Sequence, residues 1–192
     1  MAKGDKYASW EELLENTTEG VDYRVTVQRA LGSATAIIAP HGGGIEPLTL
    51  ELARSIAGSD HNFYAFEGIR RTNNWDLHIT SHRFKEERAI ALLKTCDRVV
   101  AIHGLGGPAK SLQVGGSDGT LGKAIHGVLV AAKFDSKIET TGAYAGAEPL
   151  NICNRSRTGK GVQLELRAGL RDLLKKDDRA FAAFVEAIRS AL

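Results

Sequence analysis

The sequence predicts an α/β protein of three layers: a mixed, mostly parallel sheet flanked by helices on both faces. Three observations carry this. The short, continuously apolar runs "ATAIIAP" (residues 34–40) and "RVVAIHG" (98–104) read as strands buried on both faces. Segments with helical periodicity, about a dozen residues long, alternate with such runs. Both runs lead into a histidine followed by glycine (His41-Gly42, His103-Gly104), a pair that lets the backbone turn sharply out of a sheet. The whole chain, residues 1–192, reads as one domain with a single sizeable core.

Taken in order, residues 7–16 form a short amphipathic helix, with Ser9 as N-cap and Glu12 completing a capping box. "YRVTVQRA" (23–30) alternates apolar and polar residues, as a half-buried strand does. After residues 34–40, a helix spans 47–57, with Pro47 in its first turn and Gly58 just past its end. "HNFYAFEG" (61–68) is the next strand, and "DLHITS" (76–81) a further short strand or edge segment. Residues 85–96 are helical. A helix capped by Asp118 follows to residue 133, then a late strand over 161–171 and a closing helix over 178–192.

Composition narrows the function classes. Hydrophobic residues make up 43% and charged residues 25%, which suits a globular chain rather than a disordered one. A net charge of +2 is compatible with an anionic substrate, and scattered basic residues without a motif speak against nucleic acid. No apolar run is long enough for a membrane helix, and the start of the chain lacks a secretory pattern. Cys96 and Cys153, outside any CxxC spacing, read as reduced thiols of a cytoplasmic protein.

The ends of the predicted strands carry the chemistry, because loops there vary freely while the sheet stays rigid. His41 and His103 meet if their strands are neighbours. Glu46 lies five residues after His41, across Gly42, Gly43 and Gly44, where the loop folds back. Two imidazoles and one carboxylate, with a fourth position left for water, form the ligand set of a catalytic zinc site. A phosphate cradle is the competing reading of the glycines, but neither GxxxxGK[ST] nor GxGxxG is present. Glu165 sits among Val162, Leu164 and Leu166 and shares a face with Gln163; the pattern allows either a cleft-facing base or an exposed strand carboxylate. The loop "NICNRSRTGKG" (151–161) crowds Asn151, Asn154, Arg155 and Arg157 just before it, a composition suited to binding a carboxylate or an oxyanion.

These pieces, "APHGGGIEPLTLELARSIAG", "FYAFEG", "LHITS", "VVAIHG", "VGGSDGTLG" and "NICNRSRTGKGVQLEL", resemble the zinc-dependent poly-γ-glutamate hydrolase family, phage-type enzymes with relatives in bacteria. The resemblance runs from about residue 35 to 171, in the family's order. It implies a carboxypeptidase-A-like fold with one Zn2+ held by His41, Glu46 and His103. It implies Glu165 as general base, Arg155 with Asn151 and Asn154 orienting substrate or stabilising the oxyanion, and His78 and His82 lining the groove. The implied substrate is an anionic polymer or a small acyl-amino acid. One departure stands out: "HITSHRFKEER" adds basic residues and lacks the proline that family members often carry after "HITS", which bears on specificity. Two other readings stay open on sequence alone. One is a zinc peptidase or deacylase acting on other acyl-amino acids or cell-wall γ-glutamyl links; the other is a non-catalytic, phage replication-related binding protein. His61 and His126 read as packing or surface histidines.

Overall fold

The computed structural model describes residues 4–192. Seven strands make one sheet: β1 (Tyr23–Gln28), β2 (Thr35–Gly43), β3 (Asn62–Gly68), β4 (Arg98–Leu105), β5 (Ser111–Gly115), β6 (Asp135–Ile138) and β7 (Val162–Arg167). Their order across the sheet is β1-β3-β2-β4-β7-β5-β6. The central four, β3, β2, β4 and β7, run parallel. β1 closes one edge antiparallel to β3, and β5 turns antiparallel to β7 before pairing parallel with β6. The expected mixed, mostly parallel sheet is what the chain forms.

Alternation decides which side chains go where. Ile37, Ala39, Val100, Ile102, Val162, Leu164 and Leu166 face α2 (Thr49–Ala57), α4 (Gly119–Ala131), α5 (Ala168–Lys176) and α6 (Asp178–Arg189). Ala36, Ile38, Val99 and Ala101 face the opposite way, under α1 (Trp10–Glu15), α3 (Glu87–Leu93) and irregular chain carrying Leu77, Ile79 and Phe84. The sheet is therefore the middle layer, with two separate hydrophobic clusters on its faces. Among the described residues no helix is long and apolar enough to cross a membrane.

Several expectations are corrected. Residues 76–81 are not a strand: Asn74–Leu77 is a 3₁₀ turn, and the backbone after it bonds to side chains instead of a ladder. The Thr80 N–H donates to Asp5, and the Ile79 carbonyl accepts from His41. The strand expected over 161–171 ends at Arg167, where α5 begins; Leu166, Leu170 and Leu174 recur every four residues, which is helical spacing. β5 and β6 escape the sequence because they are short and offer little pattern; only Ser136 is buried in β6. The first helix starts at Trp10 rather than at residue 7, with the Ser9 hydroxyl accepting from the Glu12 N–H as expected.

One irregularity matters for function. In β2 the pairing with β3 slips between Ala39 and Gly42: three steps along β2 match two along β3. Strict alternation would send His41 to the side of Ile37 and Ala39. The extra residue of this bulge turns it to the other side, where His103 follows Val99 and Ala101.

Candidate metal centre and cleft

His41 and His103 meet at the carboxyl ends of β2 and β4, with their Nδ1 atoms 3.2 Å apart. Glu46 folds back over the glycine turn, its N–H donating to the His41 carbonyl at 2.9 Å. Its Oε1 lies 3.2 Å from His41 Nδ1, and its Oε2 lies 3.7 Å from His103 Nδ1. The turn itself needs glycine. Gly43 has φ of +63°, and a Cβ there would stand 2.6 Å from the Gly68 carbonyl oxygen. A Cβ on Gly104 would press to 3.0 Å from the Glu46 Cβ, so glycine after His103 lets Glu46 reach in. The glycines shape this turn, and the N–H groups of Gly44, Ile45 and Glu46 are spent on backbone carbonyls rather than left free for an anion.

The hydrogen bonds fix which atoms are available. His41 Nε2 lies 2.9 Å from the Ile79 carbonyl, which only accepts, so the ring proton sits on Nε2 and Nδ1 keeps its lone pair. That lone pair faces a carboxylate oxygen and a second imidazole nitrogen. Glu46 is ionised: burial opposes this, but contacts with His41 and His103 outweigh it and hold the carboxyl well below the usual range. The Gly104 N–H also donates to Oε2 at 2.8 Å. Burial, with neighbouring His78, pushes His41 down to about 4, so it is neutral at pH 7. His103 is pushed upward: burial works against its charged form, but Glu46 and Glu165 prevail. The His41 Nδ1 lone pair and the ionised Glu46 carboxylate thus face His103 Nδ1, which is drawn toward its protonated form. The three groups converge where positive charge is favoured: a proton in the metal-free protein, or a cation that displaces it.

Other groups surround this point. His78 stacks against His41 with ring centroids 4.1 Å apart, and its Nε2 is 3.7 Å from Glu46 Oε1. His41, Glu46 and His78 each offer an atom within 4.8 Å of the other two, so His78 belongs to the centre more closely than a groove residue would. Glu165 pairs with His103 across the β4–β7 ladder and faces the same side. Burial pushes its carboxyl up to about 7; Glu46 adds to this, while His103, His78 and Arg171 oppose it. Gln163 Nε2 donates to its Oε1 at 3.3 Å.

A cleft of about 1190 Å³ opens over the centre. It is lined by His41, Glu46, His103 and Glu165, and also by His78, His82 and Asn151. Asn154 and Arg155 stand outside the lining. The Asn154 side chain is fully used in fastening loops: Nδ2 donates to the Gly146 and Glu148 carbonyls, and Oδ1 accepts from the Ser117 N–H and hydroxyl. Arg155, half-buried, ends the 3₁₀ turn Ile152–Asn154. His82 lies near the rim, 3.8 Å from Glu148. His126 bonds Ser136 and His61 approaches Ser33, both away from the cleft.

Some residues at the site left no signal in the sequence. Asp5 accepts from His78 Nδ1 at 2.6 Å, from the Thr80 N–H and hydroxyl, and from Arg83, pinning the His78 ring. Its partners lie more than 70 positions away. Arg171 lines the cleft from α5 and donates to the carbonyls of Pro47, Leu166 and Leu105, tying together the chain around the strand ends. The one available hint was its place one helical turn after Arg167.

Comparison with known proteins agrees with this picture. A family model described as poly-gamma-glutamate hydrolase matches residues 7–185. The UPF0714 protein YndL of Bacillus subtilis (strain 168) is 36% identical over 171 residues, covering 88% of this chain and 67% of YndL. The SPbeta prophage-derived UPF0714 protein YoqZ of the same strain is 38% identical over 163 residues, covering 84% of this chain and 58% of YoqZ. The chain thus spans about two thirds of the one relative and less of the other. The structure of a bacteriophage poly-gamma-glutamate hydrolase superposes with a TM-score of 0.93 at 31% identity, covering 98% of this chain and 96% of that one. Zinc-free apo YndL superposes with a TM-score of 0.89 at 32% identity, covering 98% and 97%. The expected zinc carboxypeptidase-like fold is shared with the phage enzyme. The chain belongs to the poly-γ-glutamate hydrolase family.

Proposed function

We propose that this protein is a zinc-dependent hydrolase of γ-glutamyl amide bonds, acting on poly-γ-glutamate. One observation carries the reading: His41 Nδ1, Glu46 and His103 Nδ1 approach one another at 3.2 to 3.7 Å beside the Glu165 carboxyl. Ligands about 2.0 to 2.1 Å from a tetrahedral zinc are separated by about 3.3 Å. That is close to the 3.2 Å from His41 Nδ1 to His103 Nδ1 and to Glu46 Oε1, while the other carboxylate oxygen makes the 3.7 Å approach to His103. Existence of a zinc-free form of the relative YndL supports this choice of metal.

A zinc ion held there supplies Lewis acidity, acidifying a water and polarising the scissile carbonyl. The chain's own residues do the rest. His41 keeps its ring in register by donating Nε2–H to Ile79, and Asp5 does the same for His78. Glu165 takes the proton of the attacking water and returns it to the leaving amine nitrogen, a task suited to a carboxyl raised toward neutrality. Asn151 borders the cleft and holds Gln163, which in turn bonds Glu165. On this reading Asn154 acts indirectly, through the loop it fastens.

The test is metal analysis combined with incubation on poly-γ-glutamate, followed by polymer length. About one zinc per chain and a shortened polymer are expected, with activity lost to a chelator and restored by zinc. An intact polymer with zinc-loaded protein overturns the proposal. Release of an amino acid from small N-acyl substrates in that case would move the protein to the peptidase or deacylase class.

A further inference from the structure

We propose that Arg167 is the specificity residue of the cleft, holding the free α-carboxylate of the glutamyl residue on the amine side of the scissile bond. The inference rests on the γ-glutamyl hydrolase reading and names the group by which the linkage is recognised.

Three arginines line the cleft. Arg83 spends its terminal nitrogens on the Ala8 carbonyl and on Asp5. Arg171 donates from Nε, Nη1 and Nη2 to three backbone carbonyls. Arg167 makes one such bond, from Nη1 to the Gly106 carbonyl at 3.1 Å, and the rest of its fork is uncommitted among the described residues. An unspent guanidinium in a cleft is a ready bidentate partner for a carboxylate. Arg155, the other candidate for this task, lies off the cleft lining.

Position supports the same assignment. Arg167 follows Glu165 by two residues on one face of β7, which sets their Cα atoms about 6.6 Å apart along the strand. The ladder pairs His103 with Glu165 and then Leu105 with Arg167, so the arginine stands one step beyond the reacting centre.

The substrate's chemistry closes the argument. In a γ-linked chain the scissile nitrogen is bonded directly to the carbon bearing the free α-carboxylate. Every internal bond of the polymer therefore presents a carboxylate at a short, fixed distance from the leaving nitrogen. In an α-linked peptide that position is occupied by the next amide, except at the chain terminus. A single arginine at that distance from the base therefore selects γ-linked over α-linked internal bonds.

The experiment compares a γ-glutamyl-glutamate dimer with the same dimer carrying an amide in place of the amine-side α-carboxylate. Zinc-loaded protein with Arg167 should prefer the carboxylate form by about 10- to 100-fold in kcat/KM, the range for a charge-assisted bidentate pair. Arg167→Gln should lose that preference, and Arg167→Lys, which keeps the charge without the fork, should fall between. Calorimetric binding of both dimers to Glu165→Gln, with and without Arg167→Gln, gives a readout independent of turnover. A preference that survives Arg167→Gln overturns the assignment and leaves the hydrolase reading standing. Equal handling of the two dimers by the unmutated protein, or failure to bind either, likewise overturns the assignment; only failure to shorten poly-γ-glutamate overturns the hydrolase reading as well.

Discussion

On one face of the sheet, α2, α4, α5 and α6 close over an aliphatic cluster in which Leu52, Ile56, Leu164 and Ile188 have no exposed surface. On the other, α1 and α3 cover only part of the same strands, and turns and loops cover the rest. Buried polar groups gather on this second face: His41, Glu46, His103, Asn151 and Gln163. The difference is one of cover. Regular helices seal a surface against water and leave no place for a substrate, whereas irregular chain leaves a cleft and supplies carbonyls and carboxylates to hold side chains in position. One sheet thus serves as a stable wall on one side and a reactive one on the other.

The largest expected effect breaks the reactive face alone. Glu165→Gln should lower kcat about 10³-fold, the scale of a lost general base, while metal content and folding remain unchanged. An active variant would remove Glu165 from the role of base. On the proposed mechanism the same carboxyl sets the acid limb of kcat/KM. Since burial raises it to about 7 and a nearby dication only lowers it, activity should rise with pH through a limb at or below about pH 7. A limb well above that value would point to another group.

A paired comparison of the two faces comes next. Phe184, fully buried and packed edge-on to Phe134, belongs to the helical face. Phe84, equally buried, contacts Trp10 and Phe66 and lies 6.2 Å from the His41 ring. Each change to alanine should cost about 3–5 kcal/mol of stability, read from urea midpoints. Only Phe84→Ala should also weaken metal binding in a competition titration. Equal metal loss in both variants would show that the two faces are not independent.

The smallest effect concerns the segment that closes the cleft near His78. Burial disfavours the charged form of Asp5, but bonds from His78 and Thr80 outweigh it and hold the carboxyl far below its usual value. A depressed carboxyl stabilises the fold above its unfolded value of about 3.9, and that contribution fades as pH falls below it. Asp5→Asn should cost about 2 kcal/mol at neutral pH and flatten the acid decline of the urea midpoint below about pH 4. An unchanged midpoint would mean that the Asp5 bonds contribute nothing to stability.

Much of the site was legible because it lies where strands end. His41 and His103 each close an apolar run, so local pattern sufficed to nominate them; for Glu165 the alternation left two readings open, and the family resemblance pointed to one. Other parts were out of reach. Asp5 meets His78 across 73 positions, and Arg171 reaches Pro47 across 124, distances at which no spacing rule operates. The loop at 151–155 is divided: Asn151 borders the cleft, as its polar composition suggests, whereas the Asn154 side chain is spent on the chain's own backbone and Ser117.

The sequence by itself determined the layered architecture and the chemical types at the strand ends, because burial periodicity and glycine turns are local properties of the chain. Only the tertiary structure decided which of those side chains converge. The bulge between Ala39 and Gly42 rotates His41 onto the face of His103; Pro40, which has no N–H to give a ladder, marks the place, but not which way the side chain beyond it turns. A one-residue slip in register reverses the direction of every side chain beyond it, and register is settled by pairing with a neighbouring strand.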